Sequence, residues 1–150
     1  MSTNLDELLP SAKDMRKEIA IAEAEKASAE MRKRDEAEAE KKALIDQLSK
    51  PSGVSEEEGI RRGAAIIRRA VNAGLTEVQV HRFPNRLCTD RGRAINQMEA
   101  GWEKTLTGVP KEIYDLWHKH FRPRGYKLKV QIVDFPNGMP GDVGMFLSWE

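Results

Sequence analysis

Cysteine is almost absent from this chain of 150 residues, and Cys88 is its one example. A single cysteine excludes an internal disulfide and any metal site built from several cysteines. No apolar run approaches the ~20 residues that a membrane-spanning helix needs. The first residues also lack a basic segment followed by an apolar core, so we expect no secretory signal. We therefore expect a cytoplasmic protein without a metal, a cofactor or a membrane partner.

An excess of charge of either sign is also missing, because 25 Lys and Arg residues face 24 Asp and Glu residues. This balance is unlike that of a wholly basic nucleic-acid coat or an acidic tail. The sequence contains no Gly-Lys-Ser/Thr phosphate-binding motif and no zinc-finger spacing. Composition alone therefore assigns no function, and local patterns have to supply one.

Residues 1–50 contain neither glycine nor an aromatic residue, and Ala, Glu, Lys and Arg dominate them. Ser11 followed by Asp14 is typical of the start of a helix. Several acidic residues precede a basic residue by four positions, which stabilises a helix by ~0.2–0.5 kcal/mol per pair. We expect one long helix over about 11–49.

The apolar seam along this helix is incomplete. Met15 and Ile19 fit the a and d positions of a heptad, but Lys26 and Lys33 interrupt the pattern, which recovers only partly towards Leu48. The segment is at best a weak, alanine-rich coiled coil. Two alternatives stay open: a solvated charged helix, or a helix that forms a homo-oligomer or docks on a protein partner through residues such as Met15 and Ile19.

Residues 51–54 are interpreted as a linker, and residues 55–150, which hold every aromatic residue, as a small globular domain. Capping, alternation and turn residues predict a helix from Ser55 to Gly74, a strand over 76–83, helices over about 90–100 and 110–121, and strands over 126–134 and 143–149. The predicted class is α+β, with a mainly antiparallel three-stranded sheet and the element order α-α-β-α-α-β-β.

Arginine is concentrated between positions 61 and 93, where eight arginines and no lysine face only Glu77 and Asp90. Guanidinium groups bind phosphate or carboxylate through paired hydrogen bonds, so this arginine stripe is a candidate anion or nucleic-acid surface. The alternative is a solvated face paired with acidic residues. The candidate contacts are Arg61, Arg62, Arg68, Arg69, Arg82 and Arg86.

Arg91 is singled out because a helix over 90–100 would place it within an apolar face. A buried arginine needs a partner, and Asp134 or Asp142 in the following hairpin loop could provide one. A structural ion pair, a pocket for a small anion and a snorkelling side chain are the alternatives. The candidate pocket residues are Arg91, Arg93, Asn96, Asp134 and Asp142. The loop lacks the alternating oxygen ligands of a calcium site.

Two further groups of side chains have mainly structural interpretations. Cys88 with a histidine could form a nucleophile and base, but no family signature surrounds it, and His120 is predicted to be a core histidine. Trp102 could anchor a partner, although core packing is the alternative.

Three functions are therefore compared. The first is a non-enzymatic interaction or assembly protein, whose long helix oligomerises or docks and whose α+β domain binds a protein partner. The second is a nucleic-acid-binding accessory protein that uses the arginine stripe. The third is a small enzyme or anion-binding domain centred on Arg91 and loop 134–142. We favour the first, because no catalytic constellation is evident.

Overall fold

A computed structural model of the chain describes residues 5–150, which form two compact units, one ending at Lys41 and one comprising Lys42–Glu150. The helices are α1 (Leu5–Leu8), α2 (Ala12–Ser49), α3 (Glu56–Asn72), α4 (Arg93–Asn96) and α5 (Gly108–Leu116). The strands are β1 (Glu77–Phe83), β2 (Lys127–Ile132) and β3 (Val143–Ser148). The predicted α+β class and element order are confirmed.

The long helix α2 begins as its sequence predicts, because the Asp14 backbone N–H donates to Ser11 Oγ at 3.1 Å. None of its residues is fully buried. Ile19 and Ile21 are equally exposed, although two residues two positions apart point about 200° apart on a helix. Its apolar side chains therefore do not gather into one stripe.

The last turns of α2 belong to the compact unit Lys42–Glu150. Ile45 and Leu48 pack against the core of this unit. Gly108, at φ +61°, lies so close to the backbone of Leu48 and Ser49 that a Cβ atom would not fit there. Leu48, assigned from the sequence to a coiled-coil seam, is therefore already covered within its own chain.

Helix α3 has the predicted caps. Ser55 Oγ accepts a hydrogen bond from the Glu58 backbone N–H at 3.1 Å. At the other end, Gly74 adopts φ +78°, and the Leu75 N–H returns to the Ala70 carbonyl at 2.9 Å. This is the left-handed glycine cap that satisfies the last carbonyl groups of a helix.

The sheet has the order β1-β3-β2, and both pairings are antiparallel. Val143, Met145 and Leu147 of the central strand are at most 5% exposed, and they contact residues of the surrounding helices and loops in two core clusters. On the other face, Lys129 lies 5.4 Å from the centre of the Phe146 ring. The sheet thus buries one face and exposes the other.

Two predicted helices differ in extent from those observed. The helix predicted over 90–100 is only the four residues of α4. Arg91 and Gly92 before it and Met98 after it have positive φ, which an α-helix does not accommodate. The Asp90 carboxylate accepts hydrogen bonds from the N–H groups of Gly92 and Ala94. A helix over 90–100 would also turn Met98 inward, but Met98 is 89% exposed. The helix predicted over 110–121 is α5, which starts two residues before the predicted position, at Gly108. After Leu116 it continues as a π-helical turn over Trp117–Phe121.

Within residues 5–150, no helix combines the length and the apolar character that crossing a membrane requires.

The packing of α2 on the core predicts a contrast between two neighbouring leucines. Leu48→Ala is expected to destabilise the chain by about 1–3 kcal/mol, since it removes partly buried apolar surface. Leu44→Ala should change stability by about 0.5 kcal/mol or less, because Leu44 is exposed. Urea unfolding of both variants measures the difference. Equal losses would show that the end of α2 does not pack on the core.

Candidate functional site

An apolar groove with a volume of about 540 Å³ lies between α3 and α5 of the compact unit. Ile66 lines it from α3, Leu116 from α5, and Leu128 and Leu147 from the sheet. We call this feature the α3–α5 groove.

Two glycines on α3 set the width of this groove. A Cβ atom at Gly59 would lie 2.8 Å from Leu116 Cδ2, and one at Gly63 would lie 2.8 Å from Phe121 Cζ. The absence of a side chain at these positions lets the helix lie close to α5 and the π-helical turn, and a Cβ atom at either position would require Leu116 or Phe121 to shift. The spacing of four places both glycines on the same face of the helix.

A β-bulge brings His81 to the groove. Gln79 pairs with Phe146 and His81 pairs with Met145, so Val80 is an extra residue in β1. Regular alternation along the predicted strand 76–83, with Val78 and Val80 inward, would turn His81 outward. The bulge shifts the alternation and turns His81 towards the core instead. Its Nε2 is buried and has no hydrogen-bond partner among the residues that the structure describes, and burial lowers the pKa of the imidazole.

Polar groups of both signs form the rim. Glu112 accepts hydrogen bonds from the backbone N–H and the hydroxyl of Ser52, at 3.2 and 2.6 Å. Glu56 is bonded to His120 and Lys119, each at 3.1 Å, and these hydrogen bonds lower the pKa of its carboxyl. His120 was predicted to be a core histidine; its side chain is instead 31% exposed and reaches Glu56.

The arginine stripe is partly neutralised in the structure. Arg61 pairs with Glu57 and Arg62 with Glu58, one helical turn earlier. Among residues 7–150, no carboxylate lies within 4.0 Å of the exposed Arg68, Arg69 or Arg86 guanidinium. The arginines with no acidic partner in this part of the chain are thus fewer than the sequence suggests.

The loop carboxylates have an arginine partner, but it is Arg82 rather than Arg91. Arg82 reaches Asp142 at 3.0 Å and Asp134 at 3.3 Å. Arg91 is exposed and has φ +57°, so the prediction that it lies within a buried helical face is wrong. The pairing is with Arg82 because β1 and the two ends of the loop meet at one end of the sheet.

The remaining candidate pocket residues do not gather around Arg91. Arg93 pairs with Glu99 at 2.7 Å, and this hydrogen bond raises the pKa of Arg93. Asn96 is exposed at the end of α4. The structure brings Asp134 and Asp142 together and leaves Arg91 outside their cluster.

Cys88 is buried, and burial raises the pKa of its thiol to about 11. The thiol is therefore protonated near neutral pH, whereas a nucleophilic cysteine needs its thiolate. No group of three or more His, Cys, Asp or Glu side chains that could hold a metal ion occurs among the residues whose placement the structure gives.

The three candidate partner contacts lie in different surroundings. Trp102 packs edge-on against Tyr114, with ring centres 5.7 Å apart, and it contacts the main core cluster. Met15 is partly buried and Ile19 is exposed on α2, in the unit ending at Lys41.

Sequence reasoning missed Ile66, which lines the α3–α5 groove, and Arg124, which lines a second cavity of the compact unit. The spacing of Gly59 and Gly63 could have indicated a close contact of this helix with another element. It does not indicate which residues lie opposite. No protein-family model, curated protein or solved structure matches the chain.

The environment of His81 predicts a pH dependence of stability. Its folded pKa lies below the unfolded value of about 6.5, so the unfolded chain binds a proton first on acidification. The stabilising contribution of neutral His81 is complete above pH ~6.5 and is lost as the pH falls through the folded pKa.

Replacement of His81 by leucine keeps a side chain of similar size in the core and removes the group that titrates. The free energy of unfolding in urea, measured between pH 5 and 7.5, should fall less on acidification for His81→Leu than for the unchanged chain. Identical slopes for the two chains would contradict the assignment.

Proposed function

We propose that this chain is a non-enzymatic interaction protein whose compact unit binds an apolar, helical segment of a protein partner in the α3–α5 groove. The observation that carries the proposal is the groove itself, with about 540 Å³ of space and walls of mainly apolar side chains. A contiguous apolar depression rimmed by polar residues is typical of a binding surface.

The shape of the groove favours a helical occupant. Ile66 and Leu116 stand on its two helical walls, and Leu128 and Leu147 line it from the sheet. Amphipathic helices bind such grooves by inserting apolar side chains spaced by three or four residues.

The charge of the rim favours a peptide over a polyanion. Lys119 is paired with Glu56, Arg62 with Glu58, and Glu112 with Ser52. A rim of mixed and paired charges offers no field of one sign, whereas nucleic-acid surfaces are strongly basic. The groove is therefore matched to a partner of mixed charge.

The long helix α2 supports self-assembly less strongly than the groove supports partner binding. Leu48 is covered by the core of its own chain, and Ile19 and Ile21 point to different sides of α2. We accordingly assign partner binding to the compact unit. Homo-oligomerisation or docking through 11–49, with Met15 and Ile19, is the subordinate part of the proposal.

Nucleic-acid binding is the second candidate function. It is favoured by the exposed Arg68, Arg69 and Arg86, which have no carboxylate partner among residues 7–150. Phosphate contacts would make the affinity fall steeply with salt, and this distinguishes them from apolar contacts in the groove.

A cytoplasmic location is part of the same proposal. It is supported by the single cysteine, which is buried as a free thiol, as suits a reducing compartment.

Selection from a peptide-display library on the full chain tests the groove. We expect enriched peptides with apolar residues at i, i+3 and i+4, which bind the unchanged chain and Ala65→Lys alike. They should bind Ile66→Lys about tenfold more weakly or worse, because a charge then enters the groove.

Ala65 is the matched control, since it is the exposed neighbour of Ile66 on α3 and lies outside the groove lining. Circular dichroism and urea unfolding confirm that both variants are folded. Peptides that bind all three chains equally, or a library that yields none, would overturn the proposal.

A further inference from the structure

A second cavity, of about 310 Å³, lies where α3 meets the segment 120–126. Ile60, Ala64 and Ile67 line it from α3, and Phe121 and Tyr126 line it from the other side. Its volume falls at the lower end of the range that small-molecule sites occupy in proteins, about 300–1,000 Å³.

The apolar part of this cavity is partly aromatic. Ile67 and Phe121 are 7% and 8% exposed, so both belong to the core. The rings of Phe121 and Tyr126 pack edge to face on each other, with centres 5.8 Å apart and planes inclined by 67°. This pair gives the lining an aromatic surface, on which a further ring can pack edge-on or offset.

Two arginines supply the charge of the cavity. Arg68 and Arg124 both line it and are both exposed, and no carboxylate among residues 7–150 lies within 4.0 Å of either guanidinium. His120, the third polar residue, is already held by Glu56 at 3.1 Å. The cavity thus joins an apolar lining to two guanidinium groups available to an anion.

We propose that this cavity binds a small organic anion that carries an aromatic ring and a carboxylate or phosphate group. The ring packs against Ile67, Phe121 and Tyr126 of the cavity lining, and the oxyanion accepts hydrogen bonds from Arg68 and Arg124. Guanidinium groups match both oxyanions through paired N–H donors. The site shares Phe121 with the lining of the α3–α5 groove, but its arginines do not line that groove, and it does not depend on the protein partner proposed for the groove.

A fluorescent probe pair tests the site on the full chain. Anilinonaphthalene sulfonate combines an aromatic group with an anion, and phenylnaphthylamine has the same rings without the charge. We expect the sulfonate to bind more tightly than the uncharged dye. Arg68→Gln and Arg124→Gln should each weaken sulfonate binding by about tenfold, the value of one charged hydrogen bond, and leave the uncharged dye unaffected.

Two arginines serve as matched controls. Arg69→Gln changes the exposed neighbour of Arg68, and Arg62→Gln changes an arginine of the α3–α5 groove; neither should alter sulfonate binding more than twofold. Equal effects of all four substitutions, or equal affinity for the two dyes, would overturn the proposal. Sulfonate binding that responds to Ile66→Lys instead of Arg68→Gln would also overturn it, because the dye would then occupy the groove.

Competition identifies the anion. Displacement of the sulfonate by 2-naphthoate assigns the site to carboxylates, and displacement by 2-naphthyl phosphate assigns it to phosphate esters. Failure of both competitors at millimolar concentration would contradict the proposed ligand class.

Discussion

The inner face of β3 is the surface on which the rest of the compact unit depends. Val143 and Met145 are fully buried, and Leu147 is 5% exposed. Val143 and Met145 belong to one core cluster, which includes residues of α4 and the loops, and Leu147 belongs to the other, which includes Ile67 and Phe121. Because both clusters include this one strand, the sheet and the helices cannot be stabilised separately.

The close approach of α3 to α5 follows from that arrangement. The side chains of Leu116 and Phe121 occupy the space that a Cβ atom at Gly59 or Gly63 would need. Gly59 and Gly63 themselves line the α3–α5 groove, together with Leu116 and Phe121. Phe121 also lines the second cavity, so both candidate sites adjoin this close contact of α3.

The sequence predicts those features that depend on neighbouring residues. Ser55 and Gly74 mark the ends of α3 because a capping side chain and a left-handed glycine act within one turn of the helix. The alternation of Leu128, Val130 and Ile132 marks β2 because an amphipathic strand has a period of two.

Features that depend on distant residues could not be predicted in this way. The bulge at Val80 and His81 is defined by the register between β1 and β3, which local alternation does not contain. To predict the ion pairs of Asp134 and Asp142, one would have to know that Arg82, and not Arg91, lies at the same end of the sheet. To predict that Leu48 packs within its own chain, one would have to know that the end of α2 contacts Gly108.

Thiol labelling of Ile66→Cys with an aromatic disulfide reagent tests most directly whether the α3–α5 groove is open to an occupant. Native Cys88 is the internal control, because it is buried and its thiol has a pKa of about 11. With an open groove, we expect one thiol per folded chain to react rapidly and Cys88 to react only on unfolding. An introduced thiol that reacts as slowly as Cys88 would show that the groove is closed and that no partner segment can bind there.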